Sequence, residues 1–403
     1  MGFEIDKGAE KILETLNGKG YEAYIVGGCV RDMIMGRKPG DWDITTSARP
    51  EETKKCFKRT FDTGIKHGTI TVLLDGGSYE VTTYRIEGEY TDCRHPDEVV
   101  FTRDIHEDLL RRDFTMNAIA YHPREGFIDP FGGRDDIEKK TIRGVGFPDE
   151  RFREDALRML RAVRFAAQLG FSVEEETWKA LKNRAELIKK VSAERIREEL
   201  QKLIMSGRPE KLSLLAESGL MGYIWPSLAD ALEKYSAETA VELAASEAVP
   251  ALRWALFLRR LGAAEAQSLM KGLKFDTKTM KSVCAVIAEE KNGVDVSPYG
   301  VKKTLNRLGD ENYWLFLKYS LAIGDERAGE AEKVLEEIRK KGECVGLKDL
   351  ALNGTDIGKM GVKDGRLIGE ILSALLDEAQ KDNGNNKREI LEDIVRKKLT
   401  LKE

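Results

Sequence analysis

Gly27-Gly28-Cys29-Val30-Arg31-Asp32 and, a few residues on, Gly40-Asp41-Trp42-Asp43-Ile44-Thr45-Thr46 decide how the first third of this chain folds. The apolar run 23–26 reads as a short strand, and the glycine pair behind it forces a turn that opens a helix. Such a turn lets backbone N–H groups approach a phosphate closely, with the helix N-terminus adding favourable potential. Gly28 and Arg31 are therefore candidate nucleotide-binding residues. Asp41 and Asp43 flank Trp42. On a strand over 42–46, residues i and i+2 point to one face, so the two carboxylates project together. Such a pair can hold Mg2+, a hard cation that takes oxygen ligands and keeps water and phosphate oxygens in its other positions. Asp-x-Asp also occurs in ordinary surface turns. The glycine turn upstream sets this pair apart, as does Glu80 downstream, on a strand with Thr82 and Tyr84 along its face.

Before that stretch, Ala9, Ile12, Leu13 and Leu16 recur at helical spacing, closed by Gly18 and Gly20. After it, strand patterns at 69–74 and 79–84 are joined by Asp75-Gly76-Gly77, a hairpin signal. From about residue 150 the strand signal disappears, and helical patterns such as Met159, Leu160, Val163 and Ala167 take over. The fold class expected is an α/β head, a small mixed sheet with helices, followed by an all-α remainder. The division expected is a head at 1–145, a helical neck at 146–205, a helical body at 206–310 and a helical tail at 311–403.

At 403 residues, 41% hydrophobic and 34% charged, the composition is that of a globular protein with a sizeable core. The net charge of -4 selects no partner, so any nucleic-acid contact requires Lys and Arg gathered on one face. Five scattered cysteines without a C-x-x-C pair argue against a disulfide framework and a zinc site. No long apolar run or signal peptide stands out, so no membrane association is expected and the cytoplasm is the default location.

The two opening stretches together closely resemble the class II branch of the polymerase-beta nucleotidyltransferase superfamily. That branch holds bacterial and eukaryotic CCA-adding enzymes, their CC-adding and A-adding relatives, and bacterial poly(A) polymerases. The resemblance is specific over 20–200 and looser beyond. It implies a polymerase-beta-like head in which Asp41, Asp43 and Glu80 are catalytic, with Asp41 and Asp43 binding Mg2+. Two such ions activate the RNA 3′-hydroxyl and stabilise the leaving pyrophosphate.

Arg111-Arg112-Asp113-Phe114-Thr115-Met116-Asn117-Ala118 resembles the family's second motif. This implies that Arg112 contacts nucleotide and that Asp113 and Asn117 shape the ribose site. Without that context, adjacent arginines read as solvated charge. Glu154-Asp155-Ala156-Leu157-Arg158 is read as one helix, placing Asp155 beside Arg158 and letting Glu154 brace the Arg158 guanidinium. One reading is a set of surface ion pairs worth about 0.3–0.5 kcal/mol each. The other is chemical: Asp155 accepts from an exocyclic amine while Arg158 donates to the neighbouring ring nitrogen. Cytosine and adenine both present that pattern; uracil and guanine do not. The string resembles the family's base-selecting motif, which implies this second role. Arg161 and Arg164 continue the helix and are placed along the bound nucleotide towards its triphosphate.

The segment opened by Ser192 as N-cap, with Glu194, Arg195 and Arg197, reads as structural. Basic groups at Lys302, Lys303 and Arg307, at 339–341 and at 396–398 are mixed with acids and read as solvated helix faces, with tRNA phosphate contact as the alternative. All four histidines (His67, His95, His106, His122) lie in the head, so the His-Asp phosphohydrolase domain of some relatives is absent. Tyr90-Thr91-Asp92-Cys93-Arg94-His95-Pro96 resembles the flexible head segment required for the final A. The expected activity is template-independent addition of C, C and A to the tRNA 3′ end from CTP and ATP, with release of pyrophosphate. The neck would recognise the base and the tail would bind tRNA. Bacterial poly(A) polymerase and A-adding enzyme are the alternatives. A non-catalytic nucleotide- or RNA-binding module disagrees with the presence of every acid.

Overall fold

The computed structural model describes residues 3–74, 76–87 and 99–400. The chain divides into two compact units, Met1–Ala240 and Val241–Glu403.

The first unit is built on a seven-stranded mixed sheet. Its strands are β1 (Ala23–Val26), β2 (Asp43–Thr46), β3 (Thr60–Gly64), β4 (Thr69–Leu74), β5 (Gly77–Thr83), β8 (Ala120–His122) and β9 (Gly126–Ile128), ordered β3-β4-β5-β2-β1-β8-β9. The numbering leaves room for a separate ribbon of β6 (Arg85–Glu87) and β7 (Val99–Phe101). Within the seven-stranded sheet, β2 and β5 pair in parallel and the other pairs are antiparallel. Along β4 and β5, Ile70, Val72, Tyr79, Val81 and Thr83 are buried, while Thr71, Ser78, Glu80 and Thr82 lie on the more open face. That alternation is the pattern of a sheet with one covered face. The cover is helical: α1 (Lys7–Asn17) lies against β1, β2 and β5, and α3 (Pro50–Cys56) against β4 and β5. Ala9, Ile12, Leu13 and Leu16 are all buried, as their spacing required. Between β1 and β2 runs α2 (Gly28–Ile34), and α4 (Ile105–Leu110) and α5 (Gly133–Glu138) follow the hairpin.

Helices α6 (Pro148–Glu154), α7 (Leu157–Leu169), α8 (Glu175–Arg184) and α9 (Ala193–Ile204) come next, with α7 packed on α9 through buried Leu160, Val163, Leu200 and Leu203. The strand signal does not end at 150: β10 (Thr141–Ile142) pairs in parallel with β11 (Ser172–Val173). Two residues are too few to show any periodicity.

Among its described residues the second unit is entirely helical. Trp254 packs edge-on against Phe257 and Phe275, and buried Leu352, Ile357, Ile371, Leu375, Leu391 and Val395 form a further cluster. Most of the basic groups expected here are paired: Lys302 with Glu343, Lys303 with Asp377, Arg307 with Glu289, Arg339 with Asp310, and Arg396 with Glu392. No described helix of the chain is long and apolar enough to cross a membrane.

Candidate active site

Parallel pairing of β2 and β5 sets Asp43 directly opposite Glu80. Both carboxylates lie on the open face. Asp41 is close enough for its charge to act on Asp43, but it is not on the strand. The expected strand over 42–46 begins at Asp43, because the last rung with β1 is Ile25 to Ile44 and no strand pairs with Trp42. Asp41 instead occupies the bend after Gly40.

The Asp43 side chain reaches solvent, yet protein atoms crowd around its carboxylate. Desolvation there raises its carboxyl above the ordinary value, Glu80 and Asp41 push the same way, and Arg112 opposes them. No three His, Cys, Asp or Glu side chains among the described residues are already gathered into a metal cage. Asp41, Asp43 and Glu80 thus offer hard oxygen donors, mutually repelling and spread rather than closed. Those properties suit Mg2+, which uses a few carboxylates and fills its octahedron with water and substrate phosphates.

Gly27 forms the opposite wall. Its φ of 83° is open to glycine and strained for other residues. A Cβ there would stand 3.0 Å from Arg112 Nη1 and 4.0 Å from Asp43 Oδ2. The missing side chain leaves a gap between the cation and the acid, with Gly28 opening α2 beside it. Arg112 donates from Nη2 to Asp108 Oδ2 at 3.4 Å, while its buried Nε has no partner among the described residues.

Asp108 was not singled out from the sequence, although its spacing to Arg111 and Arg112 (i, i+3 and i, i+4) was the available signal. Fully buried, it accepts from Thr45 Oγ1 at 3.1 Å and from Arg111 Nη2 at 2.8 Å. Burial alone would raise its carboxyl, but Arg111 and Arg112 outweigh that and hold it below the ordinary range. Both arginines are thereby anchored on the face of the sheet that carries Asp43, Thr45 and Glu80.

Arg31 is buried, donating to Asn117 Oδ1 at 2.8 Å and to Asp32 Oδ1 at 2.9 Å. Asp113 receives Arg161 Nε at 2.9 Å, Asn117 Nδ2 at 3.0 Å and the Phe114 N–H at 2.8 Å. Its burial would raise the carboxyl, and Arg161 more than reverses this. Arg164 is buried against Glu199, with Gln168 as a second partner and the Phe165 ring beneath it.

The helix expected across 154–158 is broken. Asp155 ends α6 with φ -137° and ψ 102°, and its Oδ1 accepts the Leu157 N–H at 3.1 Å as α7 begins. Asp155 therefore does not pair with Arg158. Arg195 of α9 holds it, Nη1 to Oδ1 at 3.2 Å and Nη2 to Oδ2 at 2.7 Å. Arg158 is braced by Glu154 Oε2 at 2.8 Å, as its spacing suggested, and donates to the Arg111 carbonyl at 2.7 Å and the Arg151 carbonyl at 3.4 Å. Three of its five N–H groups are thus engaged within the protein. Arg195 lies in the segment read as structural, and nothing local marked its partner. Ser192 does precede α9, but its hydroxyl makes no capping bond. The head segment at Tyr90 to Pro96, including Asp92 and Arg94, lies outside the described residues.

Residues 23–143 match the poly A polymerase head domain, 170–232 the probable RNA and SrmB-binding site of polymerase A, and 250–395 the putative second domain of tRNA nucleotidyltransferase. The chain is 40% identical over 390 residues to the CCA-adding enzyme of Geobacillus thermodenitrificans, covering 94% of this chain and 93% of that protein. It is 40% identical over 399 residues to that of Lactiplantibacillus plantarum, covering 96% and 95%. Its structure superposes on the Bacillus stearothermophilus CCA-adding enzyme in complex with CTP at a TM-score of 0.83, with 34% identity and 98% of each chain covered. From its sheet of paired acids through its helical second unit, the chain belongs to the CCA-adding enzymes, nucleotidyltransferases with a poly A polymerase head.

Proposed function

We infer that Asp41, Asp43 and Glu80 carry the nucleotidyl transfer by which this CCA-adding enzyme extends tRNA with C, C and A from CTP and ATP. The observation that carries the reading is the register of β2 and β5, which sets Asp43 against Glu80 across from the Gly27 turn. Asp41, Asp43 and Glu80 would hold Mg2+, which when bound supplies Lewis-acid activation of the RNA 3′-hydroxyl and charge stabilisation at the departing pyrophosphate. The gap at Gly27 admits the triphosphate, the amides around Gly28 face it, and Arg112 neutralises its charge from the opposite side. Arg31 holds Asn117, which in turn steadies Asp113, so its part in nucleotide binding is to shape the ribose side of the site. Asp155, fixed by Arg195, accepts the exocyclic amine of cytosine or adenine, and Arg158 donates a remaining N–H to the adjacent ring nitrogen. Arg161, about one-third exposed at its pair with Asp113, lies along the nucleotide. Arg164 acts from beneath, as the support of α7 on α9. We assign 1–145 as head, 146–205 as neck, 206–310 as body and 311–403 as tail.

The test supplies Mg2+, labelled CTP and ATP, and tRNAs lacking one, two or all three terminal nucleotides. Each should be completed to C-C-A and no further. Chelation of the metal should abolish incorporation and added Mg2+ should restore it, while Asp43→Ala should abolish both C and A addition with tRNA binding retained. A long A tail, or refusal of tRNA lacking both C residues, would overturn the assignment. Near-parental turnover by Asp43→Ala would overturn the role of the acids.

A further inference from the structure

Phe147 is 73% exposed, the most exposed of the large apolar side chains described. It is not on a fraying loop. Gly146, at φ 64°, turns the chain into it, and Pro148 follows as the first residue of α6. The Phe147 carbonyl accepts the Glu150 and Arg151 N–H groups at 3.1 and 3.2 Å. A Cβ on Gly144 would stand 3.0 Å from Pro148 Cγ, so the backbone on either side is packed in place. The ring is therefore presented to solvent from a fixed mount, where folding alone gives no reason for an aromatic residue.

Its surroundings say what could use it. Leu110, 43% exposed, reaches to 3.6 Å from the position of a Cβ on Gly146. The Leu110 carbonyl is held by Arg151 Nη1 at 2.9 Å, and the next carbonyl, of Arg111, by Arg158. Phe147 and Leu110 thus lie beside four arginines: Arg112 and Arg158 of the proposed nucleotide site, and Arg111 and Arg151, the guanidinium groups being paired with Asp108 or Glu154. Aromatic surface beside guanidinium groups is the chemistry that binds single-stranded nucleic acid, with bases stacking on the ring and phosphates drawn by charge. The eight residue steps across α6 from Phe147 to Asp155 separate their backbones by about 12 Å, too far for both to serve one base. A second base is implied, and the molecule that brings one to this site is the RNA being extended.

We propose that the Phe147 ring, with Leu110 beside it, is a stacking platform for the 3′-terminal base of the RNA acceptor. The proposal rests on the nucleotidyltransferase reading above. It predicts that the ring contributes to holding RNA and not to selecting the incoming nucleotide.

The test uses the whole enzyme and a tRNA carrying 2-aminopurine as its last nucleotide. Binding should quench the fluorescence in the parent and in Phe147→Trp, and much less in Phe147→Ala. Phe147→Ala should weaken tRNA binding by about 5- to 150-fold, the span that loss of one base–aromatic stack produces. KM for ATP on a tRNA ending in C-C should stay at its parental value. Undiminished quenching and tRNA affinity in Phe147→Ala would overturn the platform. So would an increase in KM for ATP with tRNA affinity unchanged, since the ring would then serve the incoming base. The quench reads the platform without turnover, so a parent that binds and quenches but adds no nucleotide would refute the catalytic reading alone.

Discussion

Asp155 has both carboxylate oxygens engaged, by Arg195 from α9 and by the Leu157 N–H. Oδ1 accepts both the Leu157 N–H and Arg195 Nη1, so the lone pair left for a base amine is on Oδ2, and the fork of Arg195 fixes its direction. Arg158 is fixed by Glu154 and the Arg111 carbonyl. A rigid acceptor beside a rigid donor discriminates between bases by roughly 1–3 kcal/mol for each good polar pair. Asp155→Ala should therefore relax rejection of UTP while CTP and ATP incorporation falls. Arg158→Ala should weaken both correct nucleotides without favouring a wrong one. Steady-state incorporation of all four NTPs by the two variants measures this. If both reject UTP and GTP as sharply as the parent, the base is read elsewhere. Asp155 and Arg158 were legible as candidates through the resemblance of Glu154-Asp155-Ala156-Leu157-Arg158 to the family's base-selecting motif, although the single helix that would set them side by side breaks at Asp155. The route by which each is held was not, because Arg195 is 40 residues from Asp155 and its partner is set by the packing of α7 on α9.

Those two helices also show what periodicity can and cannot give. Met159, Leu160, Val163 and Ala167 are buried as their spacing required, and β1 and β4 occupy the expected residues. Polar residues inside an interface escape such patterns. Arg164, expected along the nucleotide, is 6% exposed and Glu199 3%, paired within the α7–α9 contact. Removing one partner of a buried pair leaves the other charge without compensation and costs about 3–5 kcal/mol, whereas replacing both with apolar residues is often near neutral. Arg164→Met should lower the urea midpoint accordingly, and Arg164→Met with Glu199→Leu should recover most of the loss. A single variant as stable as the parent would remove this pair from the account of how the neck holds together.

Across the whole molecule, helices closed over a few residues make up most of the structure, and the catalytic pair is the exception. Asp43 meets Glu80 only because β2 and β5 are parallel, and a parallel pair cannot be closed by a tight turn. The chain has to leave the sheet through α3 and return through β3 and β4 before the two acids face each other. That closure must be met entropically before the contact gives anything back. Refolded from denaturant, the enzyme should regain its far-UV helical signal first and nucleotide incorporation later, as followed by stopped-flow ellipticity and by quenched-flow transfer of labelled CTP. Activity returning within the earliest helical phase would contradict this order. The reaction thus doubles as a clock for folding: a molecule that joins CTP to RNA has, by that act, reported that its sheet is closed.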